Sequence, residues 1–307
     1  MSASVVILAL YFLLAIMVVT FTVRTIRIAK YPVHLRWELS PVPHEKGRGA
    51  WGGSYLEEFE WWKKPREKSL TNELIYMFKE IVFLKALWEH NRKMWYFSFP
   101  FHFGLYILFV MAVLVVLGGL SGLLNLPQPG VGLLKTATPI LAGAGYILGG
   151  IGALGLFAGR LFSQKLKPVT SPASFINLAL LLTFFISGVY AITAVPDFPH
   201  EMAVVLQSLV TVNLSGGIAA PLAIHLIVAG VFLAYLPFTQ MMHFVAKYFT
   251  YHEVRWDDKP LEVGGKMEAE IQELLQQTVT WAAPHIGADG KKNWVDIATA
   301  SPSEETE

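Results

Sequence analysis

Five blocks of the sequence are long and apolar enough to cross a lipid bilayer as helices. A helix needs roughly 20 predominantly apolar residues to span the hydrocarbon core, and no block contains Asp, Glu, Lys or Arg in its central part. Because 54% of the 307 residues are hydrophobic, a water-facing surface would lack charge, which excludes an ordinary soluble domain. We therefore predict an all-α integral membrane bundle of five transmembrane helices. The blocks are 4–23, 96–120, 137–159, 173–195 and 219–246.

The basic residues indicate how such a bundle is oriented. If the chain crosses the membrane five times, all but one of the 24 Lys and Arg residues fall on one side, and the exception is Lys135. Basic loops stay in the cytoplasm. The sequence therefore predicts a multi-pass protein of the cell membrane, with the N-terminus outside and the C-terminus in the cytoplasm.

Composition divides the chain into four parts. Residues 1–23 form the first transmembrane helix, which we expect to be an uncleaved anchor. Residues 24–95 form a cytoplasmic loop that ends in an amphipathic helix near 70–90. Residues 96–249 form a four-helix membrane core. Residues 250–307 show no pattern for a core of their own, so we interpret them as a cytoplasmic docking tail.

Cysteine is absent from the chain, which limits the redox chemistry that it can perform alone. Without thiolates it cannot hold a cysteine-ligated iron–sulfur cluster or form a disulfide. Three histidines do lie inside the apolar blocks, namely His102, His225 and His243. Ionisable residues at membrane depth are rare and usually functional. If the chain carries electrons, a metal held by imidazole is therefore the main option.

The spacing of these histidines is typical of heme ligation. His225 and His243 share the fifth block, and at about 100° per residue they return to one helical face, separated by roughly 27 Å. His102 lies near the cytoplasmic end of the second block, on the same side as His243. This pair can hold one heme between the second and fifth helices, since another metal would need carboxylates in a tight cluster. The alternative is that each histidine only satisfies a neighbouring backbone group.

The same segments resemble the membrane cytochrome b (gamma) subunit of respiratory nitrate reductases. The likeness covers roughly 90–250 and rests on FHFGLYILFV at 101–110, RLFSQKLKPVTSPASF at 160–175 and HLIVAGVFLAYLPFTQMMH at 225–243. The resemblance implies five spans, two b hemes and a site for quinol. It makes 96–249 a heme-binding core, in which the protein positions the cofactors and no side chain is itself catalytic.

The resemblance also assigns axial ligands residue by residue. His102 and His243 match the ligands of the heme nearer the cytoplasm. His225 matches one ligand of the outer heme, but the second outer ligand of the family falls on Ala112. The resemblance therefore implies one heme b with both ligands present and a second heme whose ligand set is incomplete.

Several further residues are open candidates. Met111, next to Ala112, or His200 in the outer loop could complete the second site; equally, the outer heme could be absent. The family places a lysine near its quinone, and Lys135 holds a similar position, so it either hydrogen-bonds a quinone carbonyl or is an interfacial anchor. His90 is the alternative inner ligand if the helix register differs.

Two segments outside the apolar blocks resemble the cytochrome b subunit of the Dsr electron-transfer complex of sulfur-metabolising prokaryotes. They are HLRWELSPVPHE at 34–45 and WAAPHIGADGKKNWVDIAT at 281–299. This implies that electrons pass from menaquinol through heme b to a cytoplasmic iron–sulfur subunit similar to heterodisulfide reductase, in dissimilatory sulfur metabolism. Membrane lipid and further membrane and periplasmic subunits would complete the assembly, and no nucleic-acid partner is expected. The alternatives are a heme-free membrane anchor for a soluble oxidoreductase and a gamma subunit of the nitrate reductase type.

Overall fold

The computed structural model describes residues 1–30, 45–46, 58–65, 67–124, 131–252 and 263–300, except the side chains of 131–135, 283 and 284. Nearly all of the HLRWELSPVPHE stretch lies outside the described residues, as does the side chain of Lys135. The chain forms two compact units. The first contains Met1–Arg24 and Lys68–Phe244, and the second contains Thr25–Glu67 and Val245–Glu307.

Five helices among the described residues are long and apolar enough to cross a membrane. The predicted all-α bundle of five spans is therefore confirmed, and the protein is a multi-pass protein of the cell membrane. The long helices are α1 (Ala3–Ala29), α4 (Arg92–Leu123), α5 (Val131–Phe162), α6 (Pro172–Ala194) and α8 (Ala220–Tyr235). Shorter helices are α2 (Leu70–Val82), α3 (Lys85–His90), α7 (Phe198–Thr211) and α9 (His243–Thr250).

The fifth span is shorter than the apolar block that predicts it. Its α-helix ends at Tyr235, two 3-10 turns follow, and a new helix begins at His243. Pro237 lacks the N–H that would continue the helical ladder, and the extended Thr239 caps the next turn by accepting a hydrogen bond from Met241 N at 3.1 Å. The expectation that His225 and His243 share one continuous helical face is therefore wrong.

The amphipathic helix predicted near 70–90 is two helices, α2 and α3. Leu84 between them has φ 51°, a left-handed conformation that ends the first helix. The buried carboxylate of Glu80 accepts a hydrogen bond from the backbone N–H of Ala86 at 3.1 Å, in the first turn of α3. Two more bonds attach this helix pair to α4: the hydroxyl of Tyr106 donates to the carbonyl of Ile81 and the indole of Trp95 donates to that of Phe83, both at 2.8 Å.

Among the described helices of the first unit, α4 and α5 make the most extensive contact. Gly104 lies so near α5 that a Cβ placed on it would stand 2.5 Å from the backbone nitrogen of Gly149 and 2.7 Å from the carbonyl oxygen of Gly145. Small residues are how helices in lipid bring their backbones together. Because α4 is fixed in this way at Gly104, His102, two residues earlier, has a defined position.

The N-terminus of α1 is bonded to the segment that precedes α8. The terminal ammonium group donates to the carbonyl of Ile218 at 2.7 Å, and Ile218 N donates back to the carbonyl of Met1 at 2.9 Å. Deeper along α1, the hydroxyl of Tyr11 donates to the carbonyl of Leu209. Residues of α1 are also among the most buried of the apolar core, for example Val6 and Ile7. The first helix is therefore an integral part of the bundle.

The second unit contains a small fold near the C-terminus. It comprises α10 (Lys266–Leu275), a two-stranded antiparallel sheet of β1 (Ala282–Ala283) and β2 (Ala288–Asp289), and α11 (Trp294–Thr299). Val279 and Ala288 are buried against Ile286 and Ile297. The expectation that the tail has no core of its own is therefore wrong, although the core is small.

Candidate heme site

The fold brings His102 and His243 together. His102 lies in the first third of α4, and His243 is the first residue of α9. Their ring centroids are 6.2 Å apart, and the ring planes are inclined at 78°. His243 is exposed and His102 is partly buried, so the pair lies at the surface of the described bundle.

The Nδ1 atom of each ring is held by a backbone carbonyl. Nδ1 of His102 lies 2.7 Å from the carbonyl oxygen of Ser98, and Nδ1 of His243 lies 3.1 Å from that of Gln240. A carbonyl can only accept, so each Nδ1 carries the proton and each Nε2 carries the lone pair. Metal-binding histidines are oriented by such bonds, which also make the ligating nitrogen more basic.

This geometry fits an iron with two axial imidazoles. A metal–imidazole bond is about 2 Å and each ring centre lies about 1 Å beyond the nitrogen, so the two ring centres stand about 6 Å apart. The observed centroid distance of 6.2 Å agrees with this value. The described residues include no group of three or more His, Cys, Asp or Glu side chains that could bind a metal, whereas a heme requires only two axial ligands from the protein.

His225 has a different environment from the other two histidines. It is 2% exposed, and both ring nitrogens have protein partners: Nε2 lies 2.7 Å from the hydroxyl of Tyr146, and Nδ1 lies 3.0 Å from Oγ of Ser187. The aromatic rings of Tyr146 and Phe184 pack on the imidazole at centroid distances of 5.1 and 5.4 Å. The structure therefore does not present a nitrogen of His225 to an added ligand.

The remaining described candidate residues differ in burial. Met111 is 4% exposed within the apolar core, whereas its neighbour Ala112 is exposed. His200 lies in the first turn of α7 and is exposed, and His90 is exposed at the end of α3. Met111 and His200 as second ligands opposite His225 stay predictions.

Three polar residues of the core were missed by the sequence reasoning. Tyr146 and Ser187 bind His225, and Asn177 in α6 is 5% exposed with a side-chain oxygen that has no hydrogen-bond partner among the described residues. Each is a hydroxyl or amide within an otherwise apolar block, which is the signal that could have identified it. Their pairing depends on how α5, α6 and α8 pack, and the sequence does not specify that.

A comparison with protein-family models decides the broad identity. Residues 86–257 match the model of the nitrate reductase gamma subunit, which is more than half of the chain. The chain belongs to the nitrate reductase gamma subunit family. No curated protein and no solved structure matches it.

Membership in the nitrate reductase gamma family sets the general role. The matched segment contains α4 to α9 and all three histidines of the apolar blocks. Gamma subunits are b-type cytochromes that bind heme in the membrane part of a respiratory complex. The protein is therefore a transmembrane subunit for electron transport, and the resemblance noted in the sequence is confirmed at the level of this family.

Proposed function

We propose that His102 and His243 are the two axial ligands of a b-type heme. The observation that carries this proposal is the pair of imidazoles whose ring centroids are 6.2 Å apart, each with its Nδ1 held by a backbone carbonyl. When bound, the heme supplies a one-electron redox couple. The contribution of the chain is to fix the two Nε2 atoms in position and to raise their basicity through the bonds to Ser98 and Gln240.

The orientation of the site follows from the positive-inside rule. With the basic segment 24–95 and the tail in the cytoplasm, the pair lies toward the cytoplasmic side of the bundle. A heme there is near the side from which a soluble partner would accept electrons. We propose that this partner is a cytoplasmic iron–sulfur subunit similar to heterodisulfide reductase, because the cysteine-free chain provides no cysteine ligands for such a cluster itself.

The C-terminal fold offers a surface for such a partner. Trp281 and Trp294 are 49% and 41% exposed, and their ring centroids are 6.3 Å apart. Exposed aromatic residues of this kind are enriched where proteins associate. Both tryptophans lie within the WAAPHIGADGKKNWVDIAT stretch, whose resemblance to the Dsr cytochrome b subunit supports a role in dissimilatory sulfur metabolism, with further membrane and periplasmic subunits.

A nitrate-reductase-type complex is the second candidate, favoured by the family match.

The spectrum of the purified protein tests the central proposal. We expect a dithionite-reduced minus air-oxidised difference spectrum with the bands of low-spin b heme, and a pyridine hemochrome of protoheme. The control is the same preparation of the variant that lacks both His102 and His243. A purified, folded wild-type chain without b-type bands would show instead a heme-free membrane anchor.

Menaquinol is the proposed electron donor, and its reaction can be measured directly. We expect a water-soluble menaquinol analogue to reduce the heme of the purified protein in liposomes, as followed at the heme α-band. The variant Lys135→Ala distinguishes the two roles of Lys135. If Lys135 hydrogen-bonds the quinone, the variant reduces the heme more slowly at unchanged heme content. If Lys135 is only an interfacial anchor, the rate of heme reduction is unchanged. An analogue that never reduces the heme would contradict a quinol-linked role.

A further inference from the structure

We infer that the position of His225 is a closed, hydrogen-bonded core site that excludes heme, so that the chain carries a single heme. This inference rests on the proposed function, because it counts the hemes of a chain that binds one at His102 and His243. It replaces the two-heme expectation carried by the family resemblance. His225 then stabilises the packing of the bundle through its hydrogen bonds and is not a metal ligand.

The hydrogen bonds around His225 form a complete chain. Ser187 donates its hydroxyl proton to the carbonyl of Phe184 at 2.9 Å, so its oxygen accepts from Nδ1–H of His225 at 3.0 Å. Nε2 then carries the lone pair and accepts from the hydroxyl of Tyr146 at 2.7 Å. Nε2 is also the nitrogen that would have to bind an iron, and it is already hydrogen-bonded to Tyr146. Breaking this bond to admit a metal would leave the buried Tyr146 hydroxyl without its partner, which is costly.

The space around His225 is filled by side chains of the bundle. Tyr146 is 2% exposed, Phe185 is 1% exposed and Leu222 is fully buried. The ring of Tyr146 lies against Gly188 and that of Phe185 against Gly149, and a Cβ on either glycine would collide with the ring. Where these glycines leave room between α5 and α6, the room is therefore filled by aromatic rings. A porphyrin could enter only if several of these rings moved out of the core.

A second ligand is also missing from the described residues near His225. Ala112, the residue at the family's ligand position, carries no donor atom and is exposed, whereas the buried Met111 belongs to the apolar core. The contrast with the other site is direct. There, two imidazoles lie with their ring centroids 6.2 Å apart and one of them is exposed; here, a single imidazole is enclosed with both nitrogens bonded.

The closed site changes the expected electron path. Without a second heme, electrons cannot pass across the bilayer through two stacked hemes within this chain. Quinol must then be oxidised within reach of the His102–His243 pair, so a single heme favours Lys135 as an interfacial anchor over a quinone-binding residue. The hydrogen bonds of His225 instead join α5, α6 and α8, because Tyr146, Ser187 and His225 each belong to a different one of these helices.

Heme stoichiometry tests this inference on the full-length purified protein. We expect one protoheme per chain, from pyridine hemochrome absorbance over protein measured by amino-acid analysis, and a redox titration that fits one one-electron component. Two hemes per chain, with one lost in His225→Leu, would overturn the inference and leave the proposed function intact. No heme at all would overturn both.

Matched variants test the role of His225 independently of the count. We expect His225→Leu and the nearly isosteric Tyr146→Phe to keep the wild-type heme ratio and midpoint potential while lowering the thermal unfolding midpoint. Because both act on one network, the double variant should be no less stable than the worse single variant. Loss of heme in Tyr146→Phe, or fully additive destabilisation, would contradict a hydrogen-bonded core site. Tyr146→Phe keeps the ring, so it remains informative if His225→Leu does not fold.

Discussion

Replacement of His243 by alanine is expected to abolish heme binding. The variant loses one axial nitrogen of a pair whose rings stand 6.2 Å apart, and a b heme with a single histidine is held far more weakly. We expect heme per purified chain to fall below about a tenth of the wild-type value, since even loss of an outer partner of a metal ligand costs 10–100-fold. His102→Ala should have the same effect. The measurement is the pyridine hemochrome assay on detergent-purified protein.

Two controls separate ligand loss from misfolding. His90→Ala removes an exposed histidine at the end of α3 and should leave heme content unchanged. Because His243 is exposed, imidazole in the buffer can reach the cavity of His243→Gly and should restore the b-type spectrum. Full heme content in both His102→Ala and His243→Ala would show that the ligands are elsewhere. Loss of heme in His90→Ala would show that His90 is the inner ligand.

Much of the fold was predictable because lipid imposes strong constraints. In hydrocarbon every backbone polar group must be bonded internally, so an apolar block of sufficient length has few alternatives to a helix. The blocks at 96–120 and 173–195 became α4 and α6 with their ends moved by a few residues. The prediction of one continuous helix for the fifth block was wrong at Pro237 and Thr239, where the local backbone preference ends the helix inside a mainly apolar segment.

The candidate site was predictable in part. Pairing His102 with His243 required only that both lie near the same membrane surface, and the break in the fifth span did not disturb that. The state of His225 depends on side chains from three helices, because Tyr146 and Ser187 must meet its two nitrogens at once. A position in the sequence does not say which face of α5 or α6 turns toward α8. The sequence therefore identified the histidine and not its partners.

The second large effect is expected at Gly104, where α4 contacts α5. In Gly104→Ala the added methyl group would stand 2.5 Å from the backbone nitrogen of Gly149 and 2.7 Å from the carbonyl oxygen of Gly145. Backbone atoms cannot turn aside as a side chain can, so the two helices must separate. Overpacking of this kind costs about 1–3 kcal/mol or more, and we expect a markedly lower unfolding midpoint, with Gly104→Val more severe. The loss of stability is measured by thermal unfolding in detergent, with the release of heme as the monitored signal.

The matched control for this substitution lies in α5. In Gly143→Ala the new methyl group has only the side-chain atom Cδ1 of Ile192 nearby, at 3.8 Å, which is an ordinary contact. The same chemical change should therefore not destabilise the bundle, because a helical glycine with room for a methyl group gains up to about 1 kcal/mol on replacement by alanine. Because His102 lies two residues before Gly104 in α4, separation of the helices should also displace His102 and lower heme occupancy. Equal stability of the two alanine variants would show that α4 and α5 do not pack through Gly104.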